Sequence, residues 1–146
     1  MANQVKLYAG ESCVMVEGDR VDLVNDFGVP IYMSIEEGSL YGPVTKISSL
    51  LGVLADSIAL DAENNREGMA LVLTEGGVLE LRDQQSHVTL NGNKIALVSK
   101  ECVPLKIIRK DLVFYAPLMQ IARLLKFDCS YDDTEKSLTF TWHQAI

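Results

Sequence analysis

Few side chains in this 146-residue chain could carry out chemistry, because it has only three cysteines and two histidines. Cys13 and His87 occupy equivalent positions of a repeat described below, and packing of the two copies about a pseudo-twofold axis would let them approach each other. A cysteine beside a histidine can act as a nucleophile or bind a metal ion. Two ligands are too few for a closed zinc site, and packing within strands also explains both residues. The sequence therefore predicts no enzyme active site, no metal and no cofactor, and a Cys13–His87 site is the weakest hypothesis.

The cysteines, Cys13, Cys102 and Cys129, are too scattered for a disulfide framework, and no two have C-x-x-C spacing. Free cysteine is among the most buried residue types, so we expect small buried thiols. One disulfide with a thiol left over is the alternative. His143 is interpreted as a surface residue.

Two groups of carboxylates fall in predicted turns: Asp132, Asp133 and Glu135 in one, and Asp61 and Glu63 in the other. Calcium requires six or more oxygen ligands from a shaped loop, and neither group has EF-hand spacing. Asp is favoured in hairpin turns because its side chain accepts hydrogen bonds from nearby backbone N–H groups. We interpret both groups as turns. The sequence also lacks a glycine-rich phosphate-binding loop.

Composition and charge argue against several classes of protein. Hydrophobic residues make up 48% of the chain and charged residues 23%, which is enough to form a core. The net charge of −7 argues against nucleic-acid and anionic-membrane partners, which need a basic patch. Since there is no run of about 18 apolar residues and no signal segment at the start, we expect no membrane insertion and a cytoplasmic protein. A secreted or cell-envelope location is the alternative if a signal peptide has been removed.

The chain contains an internal repeat with an offset of 74 residues. Matching residues run without a gap from Val14 to Val53 of the first copy. They include Gly18 and Gly92, Pro30 and Pro104, Tyr41 and Tyr115, Pro43 and Pro117, and Leu50 and Leu124. An ordered set of this kind indicates a tandem duplication. We assign residues 1–76 to the first repeat and residues 77–146 to the second.

Each repeat has the same predicted strands. A hairpin closes at Asn91-Gly92, where both residue types tolerate positive φ, and its counterpart closes at Glu17-Gly18. A third strand is predicted to start at Val29-Pro30 and at Val103-Pro104, since proline is tolerated at a strand start. A final hairpin follows each helix. The predicted strand pairs are 54–60 with 69–74 and 127–131 with 137–142.

A short helix is predicted to start at Pro43 and another at Pro117, because proline suits the first helical turn. The apolar faces are Val44, Ile47, Leu50 and Leu51 in one helix, and Leu118, Ile121, Ala122, Leu124 and Leu125 in the other. Helices this short depend on burial against a sheet. The sequence therefore predicts an α+β fold: two tandem copies of a small antiparallel β-sheet packed on one α-helix.

One resemblance to a known family covers nearly the whole chain, twice. The clearest matching segments are Val88–Ile95, Val103-Pro104, Tyr115–Leu118, Ile121–Leu125 and Ser130–Asp132, and the looser ones are Val14–Leu23 and Tyr41–Val53. They resemble the copper amine oxidase N-terminal-like domain, or stalk domain, common in bacterial envelope proteins. This chain departs from the pattern where Lys126 replaces a helix-ending glycine. The resemblance implies a small sheet wrapped around a helix, and it implies neither copper binding nor amine oxidation.

Two functional hypotheses follow. The first is a non-catalytic interaction module of duplicated stalk-type domains that mediates protein–protein or cell-envelope association. Its partner would be another protein or a second copy of the chain, bound through exposed sheet edges. The alternative is a small-molecule-binding protein with a pocket between the repeats, for which Tyr41 and Tyr115 are the candidate ligand-binding residues. The sequence does not identify the partner or the ligand.

Overall fold

The computed structural model describes residues 2–25, 27–50, 54–58, 69–74, 77–110 and 113–143. The chain forms two compact units. Unit 1 combines Met1–Gly42 with Leu118–Ile146, and unit 2 is the continuous stretch Pro43–Pro117. These units cut across the sequence repeats, residues 1–76 and 77–146. The helix of each repeat lies in the unit that contains the first strands of the other repeat.

Strands predominate in the described part of the chain, which contains fourteen strands and two short helices. In chain order the elements are β1 (Ala2–Tyr8), β2 (Cys13–Val16), β3 (Asp19–Asp22), β4 (Ser34–Glu36), β5 (Ser39–Pro43), α1 (Val44–Leu50), β6 (Leu54–Ile58), β7 (Met69–Thr74), β8 (Gly77–Arg82), β9 (His87–Leu90), β10 (Asn93–Ala96), β11 (Ile108–Lys110), β12 (Val113–Pro117), α2 (Leu118–Leu124), β13 (Asp128–Asp132) and β14 (Ser137–His143). The predicted α+β fold, two tandem copies of a small antiparallel sheet on one helix, is therefore wrong. The chain is mainly β.

The physical reason is that each helix is too short to cover much of a sheet. Each helix has seven residues and buries three of them, Val44, Ile47 and Ser48 in α1, and Leu118, Ile121 and Ala122 in α2. The predicted face was broader, but Leu50, Leu124 and Leu125 are only half-buried, and Leu51 lies outside the described residues. Seven residues span only about 10 Å. Most of the core therefore comes from strands and the segments that connect them.

Unit 1 contains a five-stranded antiparallel sheet in the order β13-β14-β1-β2-β3. Its central strands place Val5 opposite Phe140, and Leu7 opposite both Leu138 and Val14. All five side chains are buried, so they form one apolar face of this sheet. Sequence analysis did not predict β1, although its alternation of Val5 and Leu7 with polar residues is typical of a half-buried strand.

Unit 2 contains a second five-stranded antiparallel sheet, in the order β10-β9-β8-β7-β6. Val72 lies opposite Leu79, and Leu81 lies opposite Val88, and all four are buried. The helix α1 packs against β6, β7 and β12, whereas α2 of unit 1 packs against β13. Each unit also has one further hairpin, in which β4 pairs with β5 in unit 1 and β11 with β12 in unit 2.

Most of the predicted hairpins are confirmed. The pairs β2–β3, β9–β10, β6–β7 and β13–β14 are all antiparallel, and the predicted loop at 61–68 lies outside the described residues. The turn residues have positive φ, +52° at Asn91 and +83° at Gly92. The predicted third strands are wrong, because Pro30 and Pro104 make only isolated bridges, to Val24 and Val98.

In the segments after these bridges, successive side chains alternate between the core and the solvent. Ile31 and Met33 are buried while Tyr32 between them is exposed, and Leu105 and Ile107 are buried in the same way around Lys106. Backbone hydrogen bonds fix both segments, from the Ile31 N–H to the Leu23 carbonyl and from the Leu105 N–H to the Leu97 carbonyl, each 2.9 Å. The two segments therefore have equivalent local structures.

The end of α2 is closed by a Schellman motif. The N–H of Phe127 donates to the Ala122 carbonyl at 2.9 Å, and the N–H of Lys126 donates to the Arg123 carbonyl at 3.1 Å. Lys126 takes a φ of +63°, which is unfavourable for a residue with a Cβ. The motif thus forms although the usual glycine is absent.

We expect Lys126→Gly to be more stable than Lys126→Ala by about 1 kcal/mol, because glycine adopts positive φ without steric cost. Both substitutions remove the same charge from the end of α2, so alanine is the matched control. Urea denaturation of the two variants measures the difference. Equal midpoints would contradict the assignment of a strained C-cap.

Candidate functional site

The two tyrosines predicted to bind a ligand occupy different environments. Tyr41 is 2% exposed in β5, and Tyr115 is half-buried in β12, opposite Ile108. Burial, together with the negative charges of Glu36 and Glu37, raises the pKa of Tyr41 to about 12. A side chain with so little exposed surface is a core residue, and it offers almost no surface to a ligand.

The stability of the protein is expected to fall as pH rises from 10.0 to about 12, because the folded state disfavours ionised Tyr41. The folded pKa lies above the ordinary value, so this contribution is complete below pH 10.0 and is lost above it. Urea denaturation at several alkaline pH values measures the slope. The Tyr41→Phe variant should show a shallower decrease over this range. An identical slope in the variant would show that Tyr41 is not the group responsible.

Cys13 and His87 lie in different units. Cys13 in β2 is opposite Asp22, and His87 in β9 is opposite Ala96. Burial lowers the pKa of His87, and the positive charge of Lys94 lowers it further. The cross-strand neighbour of Cys13 is thus a carboxylate and not a histidine, and the cross-strand neighbour of His87 is not a metal ligand.

The other two thiols occupy different environments. Burial raises the pKa of Cys129 despite the opposing effect of Arg123, so the thiolate is disfavoured. Cys102 is exposed in a turn with a φ of +64°, where the first repeat has Gly28. The expectation of buried thiols is therefore wrong for Cys102, and Cys13 and Cys129 are half-buried. All three cysteines are free.

The carboxylates of the last hairpin stabilise its turn, as predicted. Oδ1 of Asp132 accepts hydrogen bonds from the N–H groups of Thr134 and Glu135, at 2.9 and 3.1 Å. Glu135 also pairs with Lys6 at 3.0 Å, and Asp133 with Lys136 at 2.8 Å. The other group, Asp61 and Glu63, lies outside the described residues.

Neither a metal centre nor a membrane helix is found in the described part of the chain. No group of three or more His, Cys, Asp or Glu residues among the described positions could hold a metal ion. No helix in the same ranges has the length and apolar character needed to cross a bilayer.

Large apolar side chains are exposed mainly in one segment of unit 1. Of the eight that are exposed among the described residues, five fall between positions 24 and 35. We call these five the exposed apolar surface: Val24, Phe27, Val29, Tyr32 and Ile35. Phe27 is 71% exposed and Tyr32 is 56% exposed. Several exposed apolar side chains close together in the chain, two of them aromatic, are typical of an interaction site. Apolar residues scattered singly over a surface carry no such meaning.

The local structure holds this segment in place. The Val24–Pro30 bridge closes the loop, and buried Asn25 accepts hydrogen bonds at its Oδ1 from the N–H groups of Phe27 and Val29, at 2.8 and 3.0 Å. Further along, Tyr32 points outward because its neighbours on both sides are buried. The apolar side chains are thus presented by a hydrogen-bonded backbone, which lowers the entropy cost of binding.

Sequence analysis missed this surface, although the repeat contained a signal for it. At the 74-residue offset, Phe27 corresponds to Glu101, Tyr32 to Lys106 and Ile35 to Arg109. The local structures correspond too, since the Ser99 hydroxyl accepts from the Glu101 and Val103 N–H groups as Asn25 does in unit 1. An apolar residue in one copy and a charged one in the other marks positions that the fold does not require to be apolar.

Comparison with known proteins adds no relative: no family model, curated protein or solved structure matches this chain. The resemblance to the stalk domain thus stays a prediction from the sequence.

Proposed function

We propose that this chain is a non-catalytic protein-interaction module that binds its partner through the exposed apolar surface. The proposal keeps the functional class predicted from the sequence and gives it a defined contact region. The observation that supports it most directly is the exposure of Phe27 and Tyr32 at positions where the equivalent fold of unit 2 has charged residues. Aromatic residues supply much of the binding energy in protein interfaces.

An edge strand adjoins the same region. Among the described residues, β4 has a hydrogen-bonded neighbour on one side only, β5, and Ile35 lies in the middle of β4. An added strand from a partner could pair with this edge while its side chains contact the exposed apolar surface. The predicted contact through sheet edges is therefore part of the proposal, limited to β4.

The charges around the surface define the chemistry of the partner. Residues 19–37 contain five acidic residues and one basic residue, Arg20, whose guanidinium pairs with Asp22 at 3.0 Å. A partner that combines apolar and basic side chains would complement this surface, and an acidic one would be repelled. The small-molecule alternative and the cell-envelope setting stay predictions, and no contact of the described residues favours either.

The experiment compares two equivalent substitutions in unit 1, Tyr32→Lys and Tyr131→Lys. Tyr131 is also exposed, but it lies on β13, outside the exposed apolar surface. Tagged wild type and both variants are used to capture proteins from cells. A protein that wild type captures and the Tyr32→Lys variant does not is then purified, and its binding to all three proteins is measured by calorimetry. We expect Tyr32→Lys to weaken binding by at least about tenfold and Tyr131→Lys to leave it unchanged. Equal binding by all three proteins would overturn the proposal.

A further inference from the structure

The segment of unit 2 that corresponds to residues 19–37 is rich in basic residues. We call its cationic residues the basic surface: Lys94, Lys100, Lys106, Arg109 and Lys110. Arg109 is half-buried and the four lysines are exposed. Residues 93–111 contain these five basic residues and two acidic ones, whereas residues 19–37 contain five acidic residues and one basic.

The two surfaces have the same backbone framework and opposite charge. Each has an isolated bridge to a proline, Val24–Pro30 in one and Val98–Pro104 in the other. The net charges of the two segments have opposite signs, and Lys110 stands at the position of Glu36, although Arg20 and Lys94 are both basic at equivalent positions. Opposite charges on matching frameworks give electrostatic complementarity, which directs association and suppresses wrong partners.

Both surfaces are exposed to solvent, so a second molecule can reach each of them. Phe27 and Tyr32 are more than half exposed, and Lys100 and Lys106 are exposed as well. The lysine stems can cover aromatic rings while their ammonium groups approach carboxylates such as Glu36 and Glu37. Contact between two copies of the exposed apolar surface would instead bring like charges together, which is unfavourable.

We infer that the partner bound by the exposed apolar surface is a second copy of this chain, held by its basic surface. This inference rests on the proposed function, since it names the partner of the same site. The contact joins two different surfaces, so each molecule offers one of each kind. Such heterologous contacts produce chains or closed rings of molecules rather than a self-complementary pair.

The test uses two variants that each lose one surface. The acid-side variant alters the exposed apolar surface and carries Phe27→Lys and Tyr32→Lys. The base-side variant alters the basic surface and carries Lys100→Glu, Lys106→Glu and Lys110→Glu. In sedimentation experiments, wild type should exceed its monomer mass of 16.1 kDa as concentration rises, and each variant alone should remain monomeric. An equimolar mixture should form a 1:1 complex that grows no further, because each variant retains the surface that the other lost.

Two controls complete the design. Raising the salt concentration about tenfold should weaken wild-type association by roughly tenfold or more, because exposed charges are screened. The Tyr131→Lys variant should associate like wild type. If the acid-side variant does not fold, the single variant Ile35→Lys takes its place in the mixture. This substitution removes the apolar side chain at the centre of β4.

The outcomes separate this inference from the proposed function. A monomeric wild type at all concentrations, or a mixture of folded variants that forms no complex, overturns the inference. Self-association of the base-side variant alone also overturns it, because contact between two exposed apolar surfaces would then be sufficient. In these cases, a different purified protein that binds wild type but not the Tyr32→Lys variant would still support the proposed function.

Discussion

Phe140→Ala is expected to lower the free energy of unfolding by about 3–5 kcal/mol, because it removes a large side chain from the centre of the unit 1 sheet. Phe140 is 1% exposed on β14, between Val5 of β1 and Cys129 of β13. Loss of the ring leaves a cavity that neighbouring strands, fixed by their hydrogen bonds, can fill only in part. A change of this size is a large fraction of the total stability of a small protein.

Urea denaturation of wild type and variant measures the loss. The matched control is Thr139→Ala, one residue away on the same strand and half-buried on the opposite face. We expect the control to cost less than about 1 kcal/mol. Similar losses for both substitutions would mean that the buried face of β14 is assigned incorrectly.

Ile121→Ala in α2 is expected to cost about 2–5 kcal/mol, whereas Leu124→Ala should cost markedly less. Ile121 is 3% exposed, and Leu124, one turn further along the helix, is half-buried. Both substitutions remove a branched aliphatic side chain of similar volume from the same helix, and helix propensity alone would make Ile121→Ala the less costly change, because isoleucine is β-branched. The difference in cost therefore reports burial.

The same denaturation measurement distinguishes the two positions, and the corresponding residues in α1 provide a repetition. Ile47 is buried and Leu50 is half-buried, so Ile47→Ala should again cost more than Leu50→Ala. Equal costs within both helices would contradict the observed orientation and favour the broader apolar face expected from helical spacing.

Local features of this fold could be predicted from the sequence because nearby residues determine them. Gly18, Asn91 and Gly92 tolerate positive φ, and the hairpins form at these turns, with Glu17 taking a φ of +52° beside Gly18. The register of β13 with β14 follows from Asp132, whose side chain closes the turn between them. In each case the physical cause lies within a few residues of its effect.

Non-local features could not be predicted in this way. The alternation of Val5 and Leu7 is compatible with a strand in any sheet, and nothing near them indicates that β14 is the partner. Helical spacing made Leu124 equivalent to Ile121, although only tertiary packing decides which of them is covered. For this reason the fold class differed from expectation.

The candidate surface depended on tertiary structure as well. Tyr32 and Ile31 are adjacent apolar residues, and composition gives no reason to expect one outside and the other inside. Backbone hydrogen bonding of Ile31 to Leu23 fixes which side chain faces the core. The second repeat has Lys106 at the position of Tyr32. This difference indicates that the side chain at this position does not belong to the core.

The pairing of β1 with β14 has a consequence for synthesis on the ribosome. These strands are hydrogen-bonded from Ala2 opposite His143 to Tyr8 opposite Ser137, so β1 is synthesised long before its partner. Unit 2, by contrast, is one uninterrupted stretch of chain and can fold while translation continues. Until β14 emerges, Val5 and Leu7 are available to chaperones, and premature release of the nascent chain would leave this apolar strand open to aggregation.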